Sequence, residues 1–69
     1  MSKIIEANYK YKNEKGVEVS GYAYINKDNI SWFERGLVAG TTSVYLSGNF
    51  GLTVQVSIDE FRKLFNSVD

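Results

Sequence analysis

The 69-residue chain contains no cysteine, no histidine and no proline. Without cysteine and histidine it can form no disulfide and lacks the thiolate and imidazole ligands of structural zinc sites. The usual nucleophile–base pairs of enzymes depend on the same two residue types, so that only serine–lysine or carboxylate pairs remain. We therefore expect a protein that is not an enzyme and that uses no cofactor or metal.

An excess of charge of one sign is also missing, because eight basic residues balance eight acidic ones. No strong net field therefore directs the chain to nucleic acid or to an anionic membrane surface. Lys3 and Glu6 place charges where a signal peptide would have its apolar core, and no apolar run is long enough to span a bilayer. Because the absence of cysteine also fits a reducing compartment, we expect a cytoplasmic protein without membrane contact.

Aromatic side chains are abundant, at 14% of the residues. A chain of this size loses only about 60% of its surface on folding, which leaves little core to spare. We therefore expect one domain, residues 1–69, stabilised by a dense aromatic core or by self-association. The richness in Asn, Lys, Ile and Tyr is typical of AT-rich bacterial or phage coding sequences.

Two stretches, 3–12 and 17–25, alternate between apolar and polar residues at the strand period of two. A three-residue loop between them puts Gly16 in the left-handed position, which only glycine adopts cheaply. This loop predicts an antiparallel hairpin in which Ile5 faces Ile25. The same register pairs Ala7 with Ala23, Tyr9 with Gly21, Tyr11 with Val19 and Lys12 with Glu18.

A polar turn over 26–29 leads into a short third strand over 30–34. Its alternation predicts that Ile30 and Trp32 face the core. Residues 35–42 follow as a glycine-containing loop.

The next two strands, 43–47 and 52–56, are predicted to form a second hairpin around Gly48 and Gly51. Their apolar residues share one face only if the loop has an odd length. A register with Leu46 opposite Leu52 satisfies this condition.

The sequence from Ser57 to Glu60 matches a capping box, in which the serine oxygen accepts the backbone N–H of the glutamate three residues on. It predicts a helix over 58–66. The apolar face of this helix consists of Ile58, Phe61, Leu64, Phe65 and Val68. Together the elements predict an α+β, mainly β, fold: a five-stranded curled antiparallel sheet, or a partly open small barrel, with the C-terminal helix packed on it.

Three segments, 22–34, 41–48 and 52–65, resemble the small FlbD-like flagellar family and similar short phage and bacterial proteins. Ile25-Asn26 stands where that family has a hydrophobic–asparagine pair, and Ser57 to Glu60 where its final helix starts. The chain lacks the proline that follows the asparagine in the family. The resemblance implies the fold, and no flagellar role is transferred with it, because a fold does not carry a function.

An apolar run, Leu37-Val38-Ala39, lies between two glycines in the predicted 35–42 loop, and Phe50 lies at the tip of the second hairpin. Apolar groups in exposed loops often mark contacts with other proteins. We therefore take Leu37, Val38 and Phe50 as candidate protein-contact residues, with an unidentified protein or a second copy of the chain as the partner. The alternatives are that the run folds back onto the core or forms an edge strand.

A second candidate function is single-stranded nucleic-acid binding. Lys10, Lys12, Tyr22 and Tyr24 share the outward face of the first hairpin, and tyrosines flanked by lysines can stack on bases. Three acidic residues lie on the same surface, Glu6, Glu14 and Glu18. Because they cancel the positive field, an ordinary solvated strand face is the simpler interpretation.

Overall fold

The computed structural model describes residues 3–48 and 50–68. Five antiparallel strands form one sheet that does not close into a barrel, and a helix follows at the C-terminal end, which confirms the predicted fold class. The elements in chain order are β1 (Ile4–Lys12), β2 (Glu18–Asn26), a 3-10 helix (Lys27–Asn29), β3 (Ile30–Arg35), β4 (Thr42–Leu46), β5 (Phe50–Val54) and α1 (Ile58–Ser67).

The strands lie in the order β2-β1-β5-β4-β3, so that β2 and β3 form opposite edges. Only the 3-10 helix connects these edges, and four residue steps reach at most about 14 Å. Four strand spacings in a flat sheet amount to about 19 Å. The sheet must therefore bend. The crossover is fixed by Asn26, whose Oδ1 accepts the Asp28 N–H at 2.9 Å, and by the Ser47 N–H, which donates to the Asn29 carbonyl at 2.9 Å.

The predicted first hairpin is confirmed in register and in turn geometry. Ile5 lies opposite Ile25, Lys12 lies opposite Glu18, and Gly16 has a φ of 77°. A feature that the sequence analysis did not use is Asn13, whose Oδ1 accepts the N–H groups of Lys15 at 2.9 Å and Val17 at 3.0 Å. This side chain replaces hydrogen bonds that the tight loop cannot make within the backbone.

The prediction that Trp32 faces the core is wrong. A register shift lies between Ile30 and Trp32, and the extra residue turns Phe33 inward and Trp32 outward. The Phe33 ring centroid lies 4.7 Å from that of Phe61 and 5.3 Å from that of Phe65. Neighbouring residues of a strand point to opposite faces of the sheet, so Trp32 and Phe33 cannot both face the core. The contacts with α1 favour the inward orientation of Phe33.

The second hairpin has the predicted faces but not the predicted pairing. Val44 lies opposite Leu52, and Leu46 lies opposite Phe50 rather than Leu52. The connection between the strands is two residues shorter on the β5 side than expected. Because the shift is even, it leaves each side chain on its face, which is why the alternation pattern could not detect it.

The helix start is as predicted, since the Ser57 Oγ accepts the Glu60 N–H at 3.2 Å. Phe61 is the fully buried residue of α1, and Leu64, Phe65 and Val68 pack against the core beside it. Lys27 holds the far end of the helix: its Nζ donates to the Val68 carbonyl at 3.0 Å and lies 4.4 Å from the Phe65 ring centroid. The buried core consists of Ile5, Ala7, Ile25, Val44, Leu52, Val54 and Phe61.

Helix α1 therefore covers one face of the sheet, here called the inner face, and the opposite one is the outer face. Within residues 3–48 and 50–68, no helix is long and apolar enough to cross a membrane.

Candidate interaction surfaces

The backbone of the 36–41 loop is fixed by its own hydrogen bonds. The Gly36 N–H donates to the Thr41 carbonyl at 3.0 Å, and the Thr41 N–H donates to the Val38 carbonyl at 3.2 Å. The Thr41 Oγ1 also donates to the Val38 carbonyl, at 2.6 Å. A side chain at Gly36 would collide with Thr41 Oγ1, and Gly40 has a φ of 81°. The two glycines thus allow a tight loop that a chain with side chains there could not form.

The apolar side chains of this loop point into solvent. Leu37 is 106% exposed and Val38 is 69% exposed. Neither residue folds back onto the core, and neither belongs to a strand. The loop therefore presents apolar surface on a backbone closed by its own hydrogen bonds.

Phe50 lies apart from this loop. Because Thr42 is opposite Val54 whereas Phe50 is opposite Leu46, the loop and Phe50 lie at opposite ends of the β4–β5 pair. Phe50 is half exposed at the edge of an inner-face cleft with a volume of about 330 Å³.

 The side chains around this cleft come from the hairpin on one side and from β4 and β5 on the other: Tyr9, Tyr11, Ala23, Ile25, Leu46 and Leu52. The three candidate protein-contact residues therefore do not form one patch.

The outer face of the first hairpin carries the candidate nucleic-acid residues, as the register requires. Tyr22 and Tyr24 are exposed and pack edge to face, with ring centroids 5.4 Å apart. The Tyr22 hydroxyl donates to Glu6 Oε1 at 3.4 Å. Partial desolvation by neighbouring groups, together with the charge of Glu6 and this hydrogen bond, raises the pKa of Tyr22 above its ordinary value.

A groove of about 420 Å³ lies between β1 and the 36–41 loop. Lys10 and Lys12 line this groove together with Val38. Lys10 Nζ also lies 3.9 Å from Glu18 Oε1. The structure thus brings the lysines to the candidate protein-contact loop, while Tyr22 and Tyr24 do not line the groove.

Acidic side chains outnumber basic ones on the outer face of the strands. The register places three carboxylates there, Glu6, Glu18 and Glu34, against the two ammonium groups of Lys10 and Lys12. The net charge of these five groups is negative, which disfavours the binding of phosphate groups to this face. Among residues 3–48 and 50–68, no group of three or more acidic side chains is placed to hold a metal ion.

An exposed aromatic pair that the sequence analysis missed lies at the β3 edge of the outer face. The rings of Trp32 and Tyr45 stack with centroids 4.0 Å apart and planes 14° from parallel. The Tyr45 hydroxyl donates to Glu34 Oε2 at 3.3 Å, and Trp32 is 53% exposed. The adjacency of Trp32 and Phe33 was the available signal, because one of two neighbouring strand residues must face outward.

No protein-family model matches the chain, and it has no match among the curated proteins or the solved structures. The resemblance to the FlbD-like family therefore stays a prediction.

Proposed function

We propose that the protein is a small non-enzymatic binding or regulatory module that acts through protein contacts made by the 36–41 loop. The observation that carries this proposal is the full exposure of Leu37 and the 69% exposure of Val38 on a loop closed by its own hydrogen bonds. A bacterial or phage accessory role and a cytoplasmic location, both expected from the sequence, are part of the proposal.

The hydrogen bonds within the loop support a binding role. Covering Leu37 and Val38 with a partner removes apolar surface from water, which is favourable. A loop that is already ordered loses little conformational entropy when it is bound. The bonds from Gly36 and Thr41 therefore lower the cost of association.

Charge favours protein contacts over the alternative, single-stranded nucleic-acid binding. Tyr22 and Tyr24 offer stacking surfaces, but Tyr22 donates to the carboxylate of Glu6. One of the two lysines, Lys10, lies near Glu18. Proteins that bind single-stranded nucleic acid hold its backbone in a continuous, positively charged groove. On this face, carboxylates lie between the positive charges.

The test uses a photo-cross-linking amino acid at Ala39, inside the loop, and at Lys15, an exposed position in the first hairpin turn. We expect a discrete protein adduct in cells from position 39 and none from position 15. The double change Leu37→Asp and Val38→Asp should abolish the adduct, because charges in a desolvated contact are costly. It should alter the free energy of unfolding by only about 0.5 kcal/mol, as other surface changes do.

Val17→Asp is the matched control, because Val17 is an exposed valine, at 56%, outside the loop. It should leave the adduct intact. Titration of labelled single-stranded DNA and RNA at two salt concentrations tests the alternative. Tight, salt-sensitive binding that is lost in Lys10→Glu with Lys12→Glu, together with no adduct from position 39, would overturn the proposal.

A further inference from the structure

Strand β2 is an edge strand, and in the part of the chain that the structure describes, residues 3–48 and 50–68, it pairs with a strand only on its β1 side. Two hydrogen bonds mark the ends of its ladder with β1: the Asn13 N–H donates to the Val17 carbonyl, and the Lys27 N–H donates to the Lys3 carbonyl. In an antiparallel pair, residues that bond to the partner alternate with residues whose backbone groups point away from it. The odd-numbered residues of β2 therefore bond to β1. The even-numbered ones, from Glu18 to Tyr24, direct their N–H and C=O groups to the free side.

The two edges of the sheet differ in how they are protected. Edge strands are normally kept from pairing by charges, prolines, bulges or shortness. Strand β3 has six residues, a register shift after Ile30, and two charges, Glu34 and Arg35. Strand β2 has nine residues that pair with β1 without a shift, contains no lysine or proline, and carries its one charge at Glu18, its first residue.

We propose that β2 pairs in an antiparallel manner with β2 of a second copy of this chain, which joins two sheets into one across a two-fold axis at Tyr22. The strand is complementary to itself in this register. Val19 lies opposite the partner's Ile25, and Gly21 lies opposite the partner's Ala23, so apolar and small residues meet on the inner face. On the outer face, Tyr22 lies opposite the partner's Tyr22 and Ser20 opposite the partner's Tyr24.

Charge and exposure also select a second copy as the occupant. Antiparallel pairing places Glu18 opposite the partner's Asn26 and puts the two Glu18 carboxylates at opposite ends of the strand pair, about 27 Å apart. That separation exceeds the Debye length of about 8 Å at physiological salt. Tyr22 and Tyr24, which are 50% and 69% exposed in the isolated chain, gain aromatic and polar cross-strand neighbours.

The cysteine-free chain permits a direct test by disulfide trapping. Facing residues of a hydrogen-bonded antiparallel pair have Cα atoms about 5.5 Å apart, within disulfide range. Tyr22→Cys should therefore form a covalent dimer under mild oxidation. Asn8→Cys is the control: Asn8 lies opposite Tyr22 on β1, and two such residues would be three strand spacings apart, about 14 Å. It should stay monomeric under the same oxidation.

Sedimentation of the unmodified chain over a concentration series should show a monomer–dimer equilibrium. Tyr22→Lys places two ammonium groups face to face on the axis and should weaken dimerisation by about tenfold or more, equivalent to about 1.4 kcal/mol. Asn8→Lys adds the same charge away from the edge and should leave the dissociation constant unchanged.

The dimer is independent of the proposed 36–41 contact, so Leu37→Asp with Val38→Asp should not affect it. An unmodified chain that is monomeric at every concentration, or equal trapping of Tyr22→Cys and Asn8→Cys, would overturn the inference. So would a dimer that Tyr22→Lys leaves intact while the loop variant dissociates it.

Discussion

The N-terminal hairpin and the β3–β5 meander with its helix differ in the regularity of their strand pairing and in the burial of their side chains. The hairpin pairs nine residues of each strand without interruption, yet every residue from Lys10 to Glu18 is exposed. The meander contains a register shift and shorter strands. Nevertheless, four of the five largest fully buried side chains belong to it and to α1: Phe61, Val44, Val54 and Thr42.

The fifth, Ile5, lies near the start of β1, at the end of the hairpin far from its turn. Regular strand pairing therefore follows from local turn chemistry, whereas burial follows from where the helix packs.

Phe61→Ala should have the largest effect, because it empties the place where α1 meets the meander. Removing a buried phenylalanine side chain costs about 3–5 kcal/mol. A domain of this size has a total stability of about 3–10 kcal/mol, so the variant should be close to unfolded. Urea denaturation followed by circular dichroism measures the loss. Phe50→Ala, which removes a side chain that is 54% exposed, is the control and should cost far less. Equal losses would contradict the burial of Phe61 between the helix and the sheet.

The glycines opposite Tyr9 and Tyr45 offer a matched pair, one in each region. A Cβ at Gly21 would lie 2.8 Å from the Tyr9 hydroxyl oxygen, whereas a Cβ at Gly51 would lie 3.5 Å from the Tyr45 ring. Gly21→Ala should therefore force the Tyr9 ring to move, at a cost of about 1–3 kcal/mol. Gly51→Ala makes an ordinary contact and should be neutral or stabilise by about 0.5 kcal/mol, since glycine is unfavourable inside a strand. Thermal denaturation distinguishes the two, and the reverse order would be evidence against this packing.

Ser57→Ala should have the smallest of the three effects. It removes the acceptor of the Glu60 N–H at the start of α1 and should cost about 1 kcal/mol. Ser67→Ala is the control, because the Ser67 hydroxyl donates to the Leu64 carbonyl at the other end of the helix and caps no free N–H group. Chemical denaturation of both variants gives the difference. If Ser57→Ala instead lost binding to the protein partner while its free energy of unfolding stayed unchanged, the helix start would be part of the contact with that partner.

The sequence predicted those parts of the fold that depend on a few neighbouring residues. Gly16 and the alternation around it specified the hairpin register, and Ser57 specified the helix start. The bulge after Ile30 was not predictable in this way, because Phe33 turns inward in response to α1, which lies far along the chain.

The candidate surfaces also differ in whether neighbouring residues or more distant contacts determine them. The outer-face positions of Tyr22 and Tyr24 followed from the hairpin register. The exposure of Leu37 depends on bonds between Gly36, Val38 and Thr41, which alternation does not encode. The Trp32–Tyr45 pair was missed because its outward orientation is a consequence of the bulge.

The narrow junction between the two regions has a consequence for the order of folding. Strands β1 and β5 meet through Tyr9 opposite Val54 and Lys10 opposite Thr53, residues that are distant in the chain. A hairpin closes in about 1–10 µs, whereas contacts between distant residues carry a larger loop-closure entropy and form more slowly. The hairpin and the meander can thus each form early from local contacts, and we expect the search that brings Tyr9 to Val54 to set the folding rate of the whole chain.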